Sequence, residues 1–100
     1  MRIIAVKNLK EFWERHPQAK NSLKSWHDET KKANWNNTQD IKKRYIRADF
    51  LKNNRVIFDI SGNRCRLVVE INYNFKIVFI KFIGTHKEYE EIDPEMINEY

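Results

Sequence analysis

A histidine, a tyrosine and two arginines fall within one short stretch of this sequence at spacings suited to phosphate chemistry. His86 follows a β-branched run and precedes Tyr89 by three residues, which puts both on one side of a short helix. An imidazole can give or take a proton near neutral pH, and a phenol can hold or protonate a phosphoryl oxygen. Upstream, Arg64 and Arg66 stand at i and i+2, so in a strand they share a face, with Lys81 expected from the next strand. Arginine offers phosphate a rigid donor fork, and Val68 and Phe79 on that face supply apolar surface where bases could stack. The plainer reading pairs Arg64 and Arg66 with Asp59 and Glu70 across strands. His86 is equally readable as a surface histidine and Tyr89 as a residue that caps the core.

Other chemistries find less support. His16, His27, His86 and Cys65 are scattered without C-x-x-C or H-E-x-x-H spacing, so no metal site and no cofactor are expected. Phosphate-cradling loops of the G-x-x-x-x-G-K-[ST] and G-x-G-x-x-G kinds are missing. Cys65 alternates with Arg64 and Arg66 toward the expected core, where a structural thiol is the natural reading.

The elements that position these residues can be read from periodicity. Ile3, Ile4 and Val6 suggest a brief opening strand, and Leu9, Phe12, Trp13 and His16 recur at helical spacing after Asn8, a candidate N-cap. Pro17 ends that helix and starts another, with Ala19, Leu23, Trp26, Thr30 and Ala33 on one face. Thr38 is expected to cap a short helix through Tyr45, followed by a polar loop to Asn53-Asn54. The period then changes to two. Strands are expected over 55–60, 64–73 and 75–83, with turns at Ser61-Gly62-Asn63 and Asn72-Tyr73-Asn74. In the middle strand Cys65, Leu67, Val69 and Ile71 should face the core, as should Val78, Ile80 and Phe82 in the next. Thr85-His86-Lys87-Glu88 fits a capping box, and Asp93-Pro94 a final turn. The pattern predicts an α+β fold, with helices packed on one face of a mainly antiparallel sheet.

One hundred residues, 41% hydrophobic and 13% aromatic, suit one domain spanning 1–100 with a modest core. A net charge of +5 favours nucleic acid, acidic protein or anionic membrane as partner without choosing among them. A lone cysteine excludes an internal disulfide framework, and the opening apolar run is too short to span a bilayer, so a cytoplasmic chain with no membrane partner is expected.

At Gly62-Asn63-Arg64-Cys65-Arg66-Leu67 and Thr85-His86-Lys87-Glu88-Tyr89-Glu90 the sequence resembles the HigB toxins of bacterial type II toxin–antitoxin systems. The order of elements is similar over nearly the whole chain. The family usually has Asp where Glu90 stands and often an aromatic or aliphatic residue at Cys65. The resemblance implies a RelE-like fold and an mRNA interferase that acts on message in the translating ribosome and is neutralised by a helix-turn-helix antitoxin. The mechanism then expected is metal-independent attack of a ribose 2′-hydroxyl on the adjacent phosphate. His86 and Tyr89 would move protons or position phosphate, while Arg64, Arg66 and Lys81 would face the developing charge. Lys52, Arg55 and Lys87 are the expected RNA-backbone contacts. A non-catalytic RNA- or protein-binding module is the alternative that the same basic face allows, and a DNA-contacting regulatory subunit is a third.

Overall fold

The computed structural model describes residues 1–62 and 64–99. The chain is α+β. A five-stranded sheet has the order β1-β5-β4-β3-β2, from β1 (Arg2–Ile4), β2 (Asp49–Leu51), β3 (Arg55–Ile60), β4 (Cys65–Asn72) and β5 (Ile77–Thr85). All pairings are antiparallel except β1 with β5. Three helices, α1 (Val6–Arg15), α2 (Lys20–Lys32) and α3 (Thr38–Arg44), precede β2, and α4 (His86–Tyr89) follows β5.

One sheet face carries the main core. Leu67, Val69 and Ile71 of β4 and Val78 and Ile80 of β5 pack with Leu9, Phe12, Leu23 and Trp26 from the helices, as alternation predicts. Trp26 and Trp35 are buried around Phe58, whose ring centroid lies 5.4 Å from that of Trp26 and 6.2 Å from that of Trp35. Cys65 is buried in this core, and burial pushes its thiol up from the ordinary value, which keeps it protonated and inert.

Four details depart from the periodic reading. Val6 already belongs to α1, which begins after Ala5, so Asn8 lies inside the first turn rather than capping it. Asn37, not Thr38, caps α3, its side chain accepting from the Asp40 N–H at 3.1 Å. The stretch read as a polar loop contains β2, a three-residue edge strand whose Asp49 pairs with Ile57 and Leu51 with Arg55. Short, charge-flanked edge strands bury little apolar surface and so leave little periodic signal. The last departure lies in β5. Val68 and Val69 pair with Phe82 and Ile80, leaving Lys81 as an extra residue without a ladder partner. This bulge reverses the alternation beyond it, so Ile83 enters the main core and Phe82 turns to the opposite face. Asn63, expected in the β3–β4 turn, lies outside the described residues.

The opposite face is not an open platform. Ile57, Val68 and Phe82 form a second buried cluster covered by Tyr89, Ile92 and Ile97. This cover is held by Arg55, which is 7% exposed. Its guanidinium donates to the carbonyls of Pro94 and Ile97 at 3.0 and 2.6 Å and pairs with Glu70 at 3.5 Å. Removing one partner of such a buried network is costly. Arg55→Met is therefore expected to destabilise the protein by about 3 kcal/mol, lowering the thermal midpoint by at least ~12 °C. A drop below ~4 °C in a calorimetric scan, corresponding to about 1 kcal/mol or less, would show that Arg55 does not hold the cover. Among the described residues no helix is long and apolar enough to cross a membrane.

Candidate functional site

The β3–β4–β5 ladder assembles the relevant side chains at one end of the sheet. Asp59 stands opposite Arg66, Arg66 opposite Gly84, and Cys65 opposite Thr85. One step beyond the ladder, the His86 N–H donates to the Arg64 carbonyl at 2.8 Å, tying the start of α4 to the start of β4. The capping box expected here is complete: Thr85 Oγ1 accepts from the Glu88 N–H at 3.2 Å, and Glu88 accepts from the Thr85 N–H at 2.8 Å. These three bonds fix a four-residue helix that is too short to persist alone.

Gly84 makes this junction possible. A side chain there would run into the Phe82 ring and come within 3.2 Å of Glu88 Cβ. Phe82 is buried in the second cluster, so moving its ring disturbs that packing. Gly84→Ala should therefore cost roughly 1–3 kcal/mol of stability in urea unfolding, through displacement of Phe82 or of the turn that carries His86. An unchanged midpoint would mean that the junction has slack.

Arg66 sits between two partners on the second sheet face. Its Nε lies 3.2 Å from Asp59 Oδ1, both side chains being largely buried, and its guanidinium carbon lies 5.8 Å from the centroid of the Tyr89 ring. Of the cross-strand pairs weighed from sequence, Arg66 with Asp59 forms, while Glu70 takes Arg55 in place of Arg64. Arg64 is exposed and pairs with no carboxylate among the described residues.

Tyr89 rests its ring on the second cluster. Burial pushes its phenol up from the ordinary value; Arg66 pulls the other way, and Asp49 and Asp59 add to the rise. The phenol therefore stays protonated at neutral pH, available as a hydrogen-bond or proton donor. His86 is half exposed, and its Nε2 lies 2.9 Å from Glu90 Oε1. His86 and Tyr89 share α4 as expected, yet they engage different partners: His86 the Glu90 carboxylate, Tyr89 the Arg66 guanidinium and the apolar cluster.

The remaining expected residues spread out. Lys87 is exposed beside His86. Lys81 lies in the bulge, its amine 3.0 Å from Asn98 Oδ1 and 5.6 Å from the Phe79 centroid, about 13 Å along the strand from Thr85. Lys52 is exposed in the β2–β3 turn at the far end of β3, about 17 Å of strand from Ile60. Arg55, expected to steer RNA, is instead buried and engaged with the C-terminal cover, so it does not present the open guanidinium that steering requires.

Two residues that sequence reasoning gave no catalytic part join the cluster. Asp59 entered that reading only as a possible charge partner, although its opposition to Arg66 follows from the hairpin register. Glu90 stands four residues after His86, a spacing that foretells contact on a helix. Among the described residues, no three His, Cys, Asp or Glu side chains gather as a metal-holding group.

Comparison with known proteins shows the family. Residues 19–92 match the family model of the HigB toxin, described as the RelE-like toxic component of a toxin-antitoxin system. The chain belongs to the HigB toxin family. It is 27% identical over 92 residues to the mRNA interferase toxin HigB of Escherichia coli (strain K12), covering 90% of this chain and 88% of that protein. The mRNA interferase HigB of Shigella flexneri matches to the same extent. That of Escherichia coli O6:H1 is 26% identical over 94 residues, covering 92% and 91%. The match takes in β3 to α4, so Arg66 and His86 of this HigB-family toxin lie within the matched residues. Membership of this family also gives the chain an antitoxin as its partner.

Proposed function

We propose that this chain is an mRNA interferase, a cytoplasmic endoribonuclease that cuts message in the translating ribosome and is silenced by a helix-turn-helix antitoxin. The observation that carries the reading is that a half-exposed His86–Glu90 pair and an Arg66 guanidinium held between Asp59 and Tyr89 lie at the same end of the sheet. The names of the relatives from Escherichia coli and Shigella flexneri agree with it.

In the proposed reaction His86 takes the proton of a ribose 2′-hydroxyl, whose oxygen attacks the adjacent phosphorus. Glu90 orients the imidazole and offsets its positive charge. The bond from phosphorus to the 5′-oxygen breaks, and the protonated Tyr89 phenol supplies the proton that the leaving oxygen needs. Arg66 and Arg64 face the charge that builds on the phosphoryl oxygens. The products are a strand ending in a 2′,3′-cyclic phosphate, or the 3′-phosphate formed from it, and a strand with a free 5′-hydroxyl. Imidazole, phenol and guanidinium supply proton transfer and charge, so the scheme needs no metal ion. Lys87 beside the centre, with Lys81 and Lys52 farther out, would guide the RNA backbone.

The test is incubation of the purified chain with ribosomes engaged on a message, in buffer containing chelator at a concentration that leaves ribosomes intact. Strand scission is expected. Retention of the message without scission would replace the enzyme by a binding module.

A further inference from the structure

We infer that the cleft between α2, the Arg44–Tyr45 corner and the β3–β4 turn is a binding site for a single RNA base flanking the cut, and that it sets the sequence preference of cleavage. The inference rests on the mRNA interferase reading above. The cleft holds about 370 Å³, within the range of small-ligand sites. It adjoins the cleavage centre through shared chain. Asp59, which pairs with Arg66, lies on its wall, and so do Ser61 and Gly62, which lead directly toward Arg64. Ser61 and Gly62 both have positive φ, 55° and 67°, and Ser61 Oγ donates to the Gln18 carbonyl at 3.3 Å, so the turn is braced against the residues just before α2.

The lining suits a base better than a phosphate. Its three charged residues are already countered: Glu29 by Arg44 at 2.7 Å, and Asp59 by Arg66 at 3.2 Å. No net positive charge is left to draw an anion in. The Tyr45 hydroxyl donates to Glu29 at 2.6 Å, which fixes that aromatic wall, and the nearly buried Trp26 reaches the lining from the core. Aromatic walls hold a base through its π-face, and short neutral polar side chains read its edge. Asn21, Ser22 and Ser25 present such groups along one face of α2, and none makes a side-chain hydrogen bond within the described protein. Trp26 adds an independent sign. It is 2% exposed, and its indole N–H is buried without an acceptor among the described residues. An unmade hydrogen bond of this kind costs stability, so an acceptor brought by a bound base is favoured.

Binding can be measured apart from cleavage with 2′-O-methyl RNA hexamers, which lack the attacking hydroxyl, in four versions made of one base each. The expected result is a shift of the Trp26 indole N–H resonance with at least one hexamer and affinities that differ between hexamers by about tenfold. Ser25→Leu, an exposed helix position where leucine fills the cleft, should abolish that difference, and Asn21→Ala should reduce it. Sites cut in ribosome-engaged message should then lose their base bias in Ser25→Leu. Unchanged preference and an unmoved Trp26 resonance, with message still cut, would overturn the base site alone. Failure of the wild-type chain to cut message would overturn the interferase reading instead.

Discussion

His86→Ala is expected to slow scission of ribosome-engaged message by about 10²–10⁴-fold, the usual contribution of a positioned acid–base group, while the protein keeps its fold. Both halves follow from the surroundings of the side chain. His86 is half exposed and makes its contact with Glu90, outside either buried cluster. The capping box that holds α4 uses Thr85 and Glu88, and the bond to the Arg64 carbonyl uses the His86 backbone, so alanine preserves both. Glu90→Gln keeps the ring's neighbour but removes its charge, and a smaller loss is expected, near tenfold, as for an exposed pair. Initial rates of strand cleavage, with circular dichroism melting as control, check both variants. A His86→Ala protein that cuts at the wild-type rate would leave the imidazole without a role.

Arg66→Ala should be nearly as damaging, with about 10²–10³-fold lost from cleavage, but it should also weaken the fold. Asp59 is only 21% exposed at its side chain, and losing Arg66 strands its carboxylate. The two effects can be separated. Arg66→Ala combined with Asp59→Asn removes the stranded charge, so stability should recover while cleavage does not. Arg66→Lys keeps a positive charge but loses the planar fork that spans Asp59 and Tyr89, and should still cost at least tenfold. If restored stability brought restored cleavage in the double variant, Arg66 would be a structural residue and nothing more.

Much of this architecture was legible in the residues themselves. Strict alternation from Cys65 to Ile71 located the core face of β4, and Pro17 located the break between α1 and α2. The Thr85-to-Glu88 capping box located α4, and with it His86. What alternation could not reveal was a change of phase. The bulge at Lys81 leaves no mark on composition, yet it moves Phe82 and Ile83 to opposite faces and separates Lys81 from the cluster it was expected to join. Arg55 illustrates a second blind spot. A basic residue at the start of a strand reads as surface charge, because the segment that buries it, 92–97, lies some forty residues away in sequence and carries only two spaced isoleucines as signal. The resemblance at Gly62–Leu67 and Thr85–Glu90 identified the family, and the hairpin register then supplied Asp59.

The central claim is that the ribose 2′-hydroxyl is the nucleophile and that the His86 cluster activates it. A message with one 2′-deoxy nucleotide at the mapped cut site, engaged on ribosomes and compared with its all-ribose counterpart, tests this most directly. The account predicts that scission at that position disappears while neighbouring positions are still cut, and that the all-ribose product ends in a 2′,3′-cyclic or 3′-phosphate. Scission at the deoxy position at an undiminished rate, or a product with a free 3′-hydroxyl, would contradict it.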